Sequence, residues 1–357
     1  MAPAVSEDVW AEQDTNPDAI EAALRVLLRR RHAENESLAP ARVLNLIVIV
    51  DRDWKGEIAN RLDRVGRYHA SRTVLCALEQ GRQTLDAIAT VSYEEPAEGN
   101  LGIIREHVEI DLGPMHLPAL QTIVDPVLAS ELPTVLWSPH GHEQAVQALL
   151  PMIDVMLLDS DDVPEPTLAF ERVHELLEHV YVVDLAWLRT TPWRERLAAS
   201  FDLPARLAAL DEITALEIRH RTSSIASGLL LTGWLASRLH WLREPLEPIN
   251  GSGLRGAARR AQVEIEIGLR PTDQDAPGLG GVTVSCGDGF SLSLDRGQGG
   301  LSIREQLPDG ASMTWKILGA SRGEGGILGE GVRQALLRDP TYGPALDAAR
   351  GLCPAAG

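Results

Sequence analysis

The chain has 357 residues, with 51 acidic against 33 basic side chains, a formal net charge of −18 and 44% hydrophobic residues. That length accommodates two hydrophobic cores, and the acidic excess excludes nonspecific binding to nucleic acid or an anionic membrane, which needs clustered Lys and Arg. Three cysteines, Cys76, Cys286 and Cys353, supply neither a CxxC metal or redox pair nor an even disulfide framework.

The opening MAPAVSEDVWAEQD is acidic and lacks the basic and apolar regions of a secretory signal, and no run approaches the roughly 18 apolar residues of a membrane span. A cytoplasmic protein is expected. Residues 1–35 read as an N-terminal helical segment, with a helix over 17–31 that carries Ile20, Ala23, Leu24, Leu27 and Leu28 on one side and arginines in its last turn. RVLNLIVIV at 42–50 is a continuous apolar strand of the kind covered on both faces. A helix over 56–68 and a strand over 72–78 follow. The runs 86–93 and 103–111 alternate and read as antiparallel additions. A helix over 117–130, a strand over 134–137, a helix over 144–149 and a strand over 155–158 complete residues 36–160 as a Rossmann-like, mostly parallel α/β domain.

After the first strand the turn reads VDRDWKGE, without the glycine spacing that lets a backbone approach a pyrophosphate, and no GxxxxGK[ST] occurs anywhere. No cofactor is expected. The ends of the parallel strands remain the place where a ligand would collect. SDDVPEP at 160–166 marks a hinge, and the linker is set at 161–166. Residues 167–357 then form an α+β domain with a mainly antiparallel sheet: a helix over 167–180, a strand over 212–221, a long apolar helix over 224–242, five strands between 262 and 317 separated by glycine-rich turns, and a helical tail over 329–352.

Residues with catalytic chemistry are scattered. His140, His142 and Glu143 in SPHGHEQ are metal-ligating types, but without a second cluster they read as polar loop residues. There is no GxSxG elbow, and SCGDG at 285–289 suits a tight hairpin better than a reactive thiol. Acid pairs at Asp161–Asp162 and Glu94–Glu95 lie in polar stretches where solvation keeps their acidity ordinary. RYHASRTVL at 67–75 offers His69 and Arg72 as a weak anion site; the alternative is a turn fixed by Ser71 with Arg72 in an ion pair.

The most informative stretch is residues 183–202, VDLAWLRTTPWRERLAASFD. Thr191 followed by Pro192 predicts an N-cap and first helical residue, with Trp193, Leu197 and Phe201 on one face of a short helix. Two readings stay open. Either the tryptophans are core and Arg189 and Arg194 pair with nearby acids, or the Trp/Arg set anchors a protein contact.

The segment from Asp184 to Arg194, D-L-A-W-x-R-x-T-P-W-R, resembles the signature of the OpcA family of glucose-6-phosphate dehydrogenase assembly proteins. Blocks at 42–46, 131–137 (ELPTVLW) and 229–241 (LLLTGWLASRLHW) agree in the same order, while Ala70 replaces the proline of the family's H-P-S-R block and Ser138 replaces a second tryptophan. The resemblance implies a non-catalytic assembly factor that binds glucose-6-phosphate dehydrogenase and promotes its active oligomer in the oxidative pentose phosphate pathway. Asp184, Trp187, Arg189, Trp193, Arg194 and Trp137 would then be partner-binding or scaffold residues. A reading of a different class is a sugar-phosphate-binding enzyme or sensor that uses the strand ends of the first domain with His69 and Arg72.

Overall fold

The structure, a computed structural model, describes residues 5–34, 42–66, 71–94, 103–249, 253–318 and 324–355. The chain forms two compact units: Met1–Leu158 with His179–Val183 and Leu328–Leu336, and Asp159–Glu178 with Asp184–Ile327 and Leu337–Gly357. The division falls at Leu158, ahead of the stretch read as a linker, because residues 160–162 already form a helical turn and Pro166 starts a helix.

The first unit is built on a sheet of β1 (Val5–Glu12), β2 (Leu44–Asp51), β3 (Ser71–Leu78), β4 (Asp86–Glu94), β5 (Ile103–Leu112), β6 (Thr134–Trp137), β7 (Val155–Leu158) and β8 (Tyr181–Asp184). Its strand order is β1-β4-β5-β3-β2-β6-β7-β8. The pairs β5–β3, β3–β2, β2–β6 and β6–β7 are parallel, and β1 and β4 extend the edge antiparallel. The expected fold class is therefore present. β5, read as an antiparallel addition, also belongs to the parallel core through β3, because it faces β4 on one side and β3 on the other. β2 is buried along its length up to Asp51, as an apolar run flanked by strands on both sides must be. Between β2 and β6 the order of the strands reverses, which makes their carboxyl ends the switch point of the sheet.

Helices α1 (Pro17–Glu34), α2 (Lys55–Gly66), α3 (Leu120–Val124) and α4 (Glu143–Leu149) belong to this unit. The helix expected over 117–130 is fragmented: Pro118 lies in one 3₁₀ turn and Pro126 in another, since neither can donate an N–H to a continuing helix. The N-terminal segment also contains β1, which the sequence reading missed. Its acids hide the alternation, yet Asp8 pairs with Arg31 of α1 at 2.7 Å.

The second unit contains α5 (Pro166–Leu177), α6 (Leu185–Phe201), α7 (Pro204–Leu207), β9 (Ile213–Arg221), α8 (Ile225–Arg238), β10 (Leu242–Arg243), β11 (Glu247–Ile249), β12 (Gly253–Arg260), β13 (Val263–Thr272), β14 (Leu279–Cys286), β15 (Ser291–Gly297), β16 (Gly300–Gln306) and β17 (Ser312–Leu318). α9 (Glu324–Gln334) leads back to the first unit and α10 (Tyr342–Leu352) closes the chain. The sheet order is β10-β12-β13-β9-β14-β15-β16-β17, with β11 on β12, and only the pair β9–β13 is parallel. Leu216, Ile218, Ile265, Ile267, Val282 and Leu292 supply the buried side of the sheet. α8 packs on β9 and β13 and against α6 and α10. Gly233 lets α10 approach α8 closely: a Cβ there would lie 2.3 Å from the Ala345 carbonyl oxygen.

Candidate functional site

The stretch 183–202 does not start a helix at Thr191. α6 runs from Leu185 to Phe201, with Asp184 as its N-cap and Pro192 in its interior. Asp184 accepts from the N–H of Ala186 at 2.9 Å, the N–H and hydroxyl of Ser160 at 3.0 and 2.6 Å, and the Tyr342 hydroxyl at 3.0 Å. A cap with four donors outcompetes a threonine seven residues on, although Pro192 removes one bond of the helix ladder.

Around this cap lies a polar interior. Arg189 donates to Asp159 at 2.8 Å and pairs with its second oxygen at 2.6 Å, with Asp161 3.8 Å away. Asp161 accepts from the N–H and hydroxyl of Ser227 at 3.0 and 2.6 Å. Trp187 donates its indole N–H to Asp339 at 2.9 Å, and the Arg194 guanidinium stacks 3.6 Å above the Trp187 ring. Arg194 also donates to the hydroxyls of Thr190 and Thr191, both at 3.0 Å.

Asp159 and Asp161 flank Arg189, and Asp184 lies within electrostatic reach of Asp159, so acids outnumber the arginine in a region of low polarisability. Desolvation, then the neighbouring Asp159, push Asp161 up to about 7 and Asp184 up to about 6; hydrogen bonds from Ser227 and from Ser160 and Tyr342 act in the opposite sense. Desolvation lowers Arg194 to about 10, against the pull of Asp339. Asp161, which the sequence placed in a solvated loop of ordinary acidity, is in fact enclosed.

Of the two readings left open by the sequence, these placements favour the core one. Trp193 is 1% exposed, Trp187 2%, Trp137 4%, Asp184 1% and Arg189 8%, so none of the five presents a face on which a partner could dock. Arg194 keeps only its edge in solvent. The sequence-specific block builds the interior of the second unit.

The weak anion site also changes. His69 lies outside the described residues. Arg72 is buried, donating to Glu106 at 2.7 Å and to the Val127 carbonyl at 2.9 Å, and Glu106 receives Arg42 on its other oxygen. Its guanidinium holds β3 to β5 and to the turn after α3, which is the ion-pair alternative. The thiols are likewise enclosed: desolvation pushes Cys76 and Cys286 up to about 12 and Cys353 up to about 11, away from the nucleophilic thiolate.

A different group converges at the switch point of the first sheet. Asp51 ends β2, and the turn after β6 folds back through Gly141, whose φ of +90° only glycine adopts freely, into His142 at φ +51°. Ser138 donates its hydroxyl to the Gly141 carbonyl at 2.7 Å and fixes the turn. Two histidines one residue apart thereby face the same carboxylate: His140 Nδ1 is 4.0 Å and His142 Nε2 3.6 Å from Asp51 oxygens. Trp54 covers His140, with ring centroids 5.5 Å apart. Burial lowers the His142 pKa, His140 adds to that, and Asp51 opposes it. The sequence reading grouped the histidines with Glu143; the carboxylate that meets them is Asp51, and its signal was its position at the end of the central strand.

Residues 62–175 match the family described as the glucose-6-phosphate dehydrogenase subunit N-terminal domain, and residues 180–346 match the corresponding C-terminal domain. Among curated relatives, the putative OxPP cycle protein OpcA of Synechococcus elongatus is 33% identical over 129 residues, 35% of this chain and 29% of that protein. Its counterpart in Synechocystis is 26% identical over 225 residues, 61% of this chain and 46% of the relative, so the chain aligns with less than half of either. Among solved structures, a super-repressor mutant of Gal80p from Saccharomyces cerevisiae aligns with 87% of the chain and 94% of its own length, at TM-score 0.51 and 9% identity, a likeness of fold alone. The WlbA dehydrogenase of Thermus thermophilus covers 88% of the chain and 97% of its own length at TM-score 0.44 and 14% identity. With both halves matched in order and the tryptophan block in place, the chain belongs to the OpcA family.

Proposed function

We propose that this protein is a non-catalytic partner of glucose-6-phosphate dehydrogenase that favours the enzyme's active oligomer and so acts in the oxidative pentose phosphate pathway. The observation that carries this reading is the match of both halves of the chain to domains described as parts of a glucose-6-phosphate dehydrogenase subunit. The mechanism is linkage: binding the active assembly more tightly than the inactive one shifts the equilibrium by that difference in affinity, on the order of 1–3 kcal/mol for typical couplings.

With the motif tryptophans enclosed, the contact falls to other aromatic groups. In the second unit β17, the outermost strand, exposes Met313, Trp315 and Leu318, with Trp315 37% exposed. A strand edge unpaired among the described residues, with an exposed tryptophan and apolar neighbours, is a surface suited to a protein partner. The test mixes the purified protein with the dehydrogenase of its own organism and follows comigration and specific activity. Comigration with raised activity supports the reading, and an indifferent dehydrogenase overturns it. Trp315→Ala should weaken the complex by about 2 kcal/mol, roughly 30-fold in Kd, while the protein melts as the parent does.

A further inference from the structure

We propose that Asp51, His140 and His142 form a binding site for a divalent transition metal, with zinc the best match, at the switch point of the first sheet. One ligand atom from each residue lies within 4.8 Å of the other two. Two imidazoles and a carboxylate are the donor types that borderline-soft cations such as zinc select, and three protein ligands leave one coordination position open. In a tetrahedral site with bonds of about 2.0–2.1 Å, ligand atoms stand roughly 3.3 Å apart. The separations of 3.6 and 4.0 Å from Asp51 need only small side-chain adjustments at the end of β2 and in the turn after β6.

A second observation points the same way. His142 Nε2 is shielded from solvent and has no hydrogen-bond partner among the described residues, yet it is aimed at Asp51 from 3.6 Å, beyond hydrogen-bonding distance. A buried ring nitrogen without a partner is costly, and a cation seated between it and the carboxylate satisfies both. The metal would tie the end of β2 to the turn after β6, where the Asp51 side chain is half-exposed. This site does not depend on the dehydrogenase partnership.

The experiment uses the full chain stripped with a chelator. Titration with zinc chloride by calorimetry should give one saturable site, and cobalt(II) in its place should give a visible absorption band of a low-coordinate nitrogen–oxygen site. Asp51→Asn and His142→Asn, the latter chosen because asparagine tolerates the left-handed backbone, should each weaken zinc binding by at least about 100-fold with an unchanged melting temperature. Glu143→Gln, one residue outside the trio, should bind as the parent does. Absence of a saturable site in the parent overturns the proposal, and so does zinc binding that survives both Asp51→Asn and His142→Asn.

Discussion

The interior around Arg189 and the turn around His142 both draw acidic and basic side chains into a small volume, but they resolve the resulting charge in opposite ways. In the first, Asp184 accepts four hydrogen bonds, Asp161 two, and Arg189 grips Asp159 with two nitrogens. In the second, the carboxylate stands more than 3.5 Å from both rings and one ring nitrogen is unmatched. Mutual satisfaction marks a structural network, whereas a shortfall of partners at the carboxyl ends of parallel strands marks a place for a ligand. Sequence specificity ranked the two the other way, because a recurrent Trp/Arg block is conspicuous and an isolated HGH turn is not.

The largest effects belong to the satisfied region. Arg189→Met leaves Asp159 and its neighbours without their cation and should cost about 3–5 kcal/mol, the range for breaking a buried pair. Trp193→Ala should cost a similar ~3–5 kcal/mol through the cavity it opens. Both are read as a lowered melting temperature by circular dichroism. A Trp193→Ala protein that melts normally but no longer binds the dehydrogenase would reverse the assignment of this block to the interior.

Gly233→Ala tests the packing beside that network. The added methyl meets the backbone of α10 at Ala345 and Ala349, which cannot swing aside as a side chain could. A loss of about 1–3 kcal/mol is expected, the usual range for overpacking. Denaturant unfolding followed by tryptophan fluorescence would measure it.

The pH response follows from the raised acids. Their pKa values in the folded protein, about 7 for Asp161 and about 6 for Asp184, lie above the ordinary value of 3.8. The protonated forms are therefore favoured by folding, and the stability they contribute is complete below about pH 4 and is lost as pH rises to 7. The protein should accordingly melt several degrees higher near pH 5 than near pH 8, and Asp161→Asn should flatten that slope. An equal slope in the variant would show that Asp161 does not titrate in this range.

Much of this was readable in the residues, and the failures are instructive. The apolar run that became β2 and the alternation that became β13 announced themselves because burial on two faces or one imposes a period on the side chains. β1 was hidden by its acids, of which Asp8 finds its partner, Arg31, in the following helix. The start of α6 was misplaced because Thr-Pro is a strong local signal, while the four donors to Asp184 come from Ser160, Ala186 and Tyr342, two of them far along the chain. The meeting of Asp51 with His140 and His142 depends on the parallel pairing of β2 with β6, which no window of local sequence contains.

The smallest effect expected is the one that sets the two regions apart most directly, the same Asp→Asn change made in each. Asp184→Asn replaces an acceptor of four donors by a group with two acceptor lone pairs and two donors of its own, so the N-cap and the contacts to Ser160 and Tyr342 cannot all persist; a loss of roughly 1–3 kcal/mol is expected. Asp51→Asn touches a side chain 53% exposed, beyond hydrogen-bonding distance of either histidine, and in chelator-treated protein should shift stability by no more than about 0.5 kcal/mol. Parallel thermal melts of the two variants decide it. A comparable loss at Asp51 in the absence of metal would mean that this carboxylate already supports the fold, and the contrast between a filled network and a site awaiting its ligand would fail.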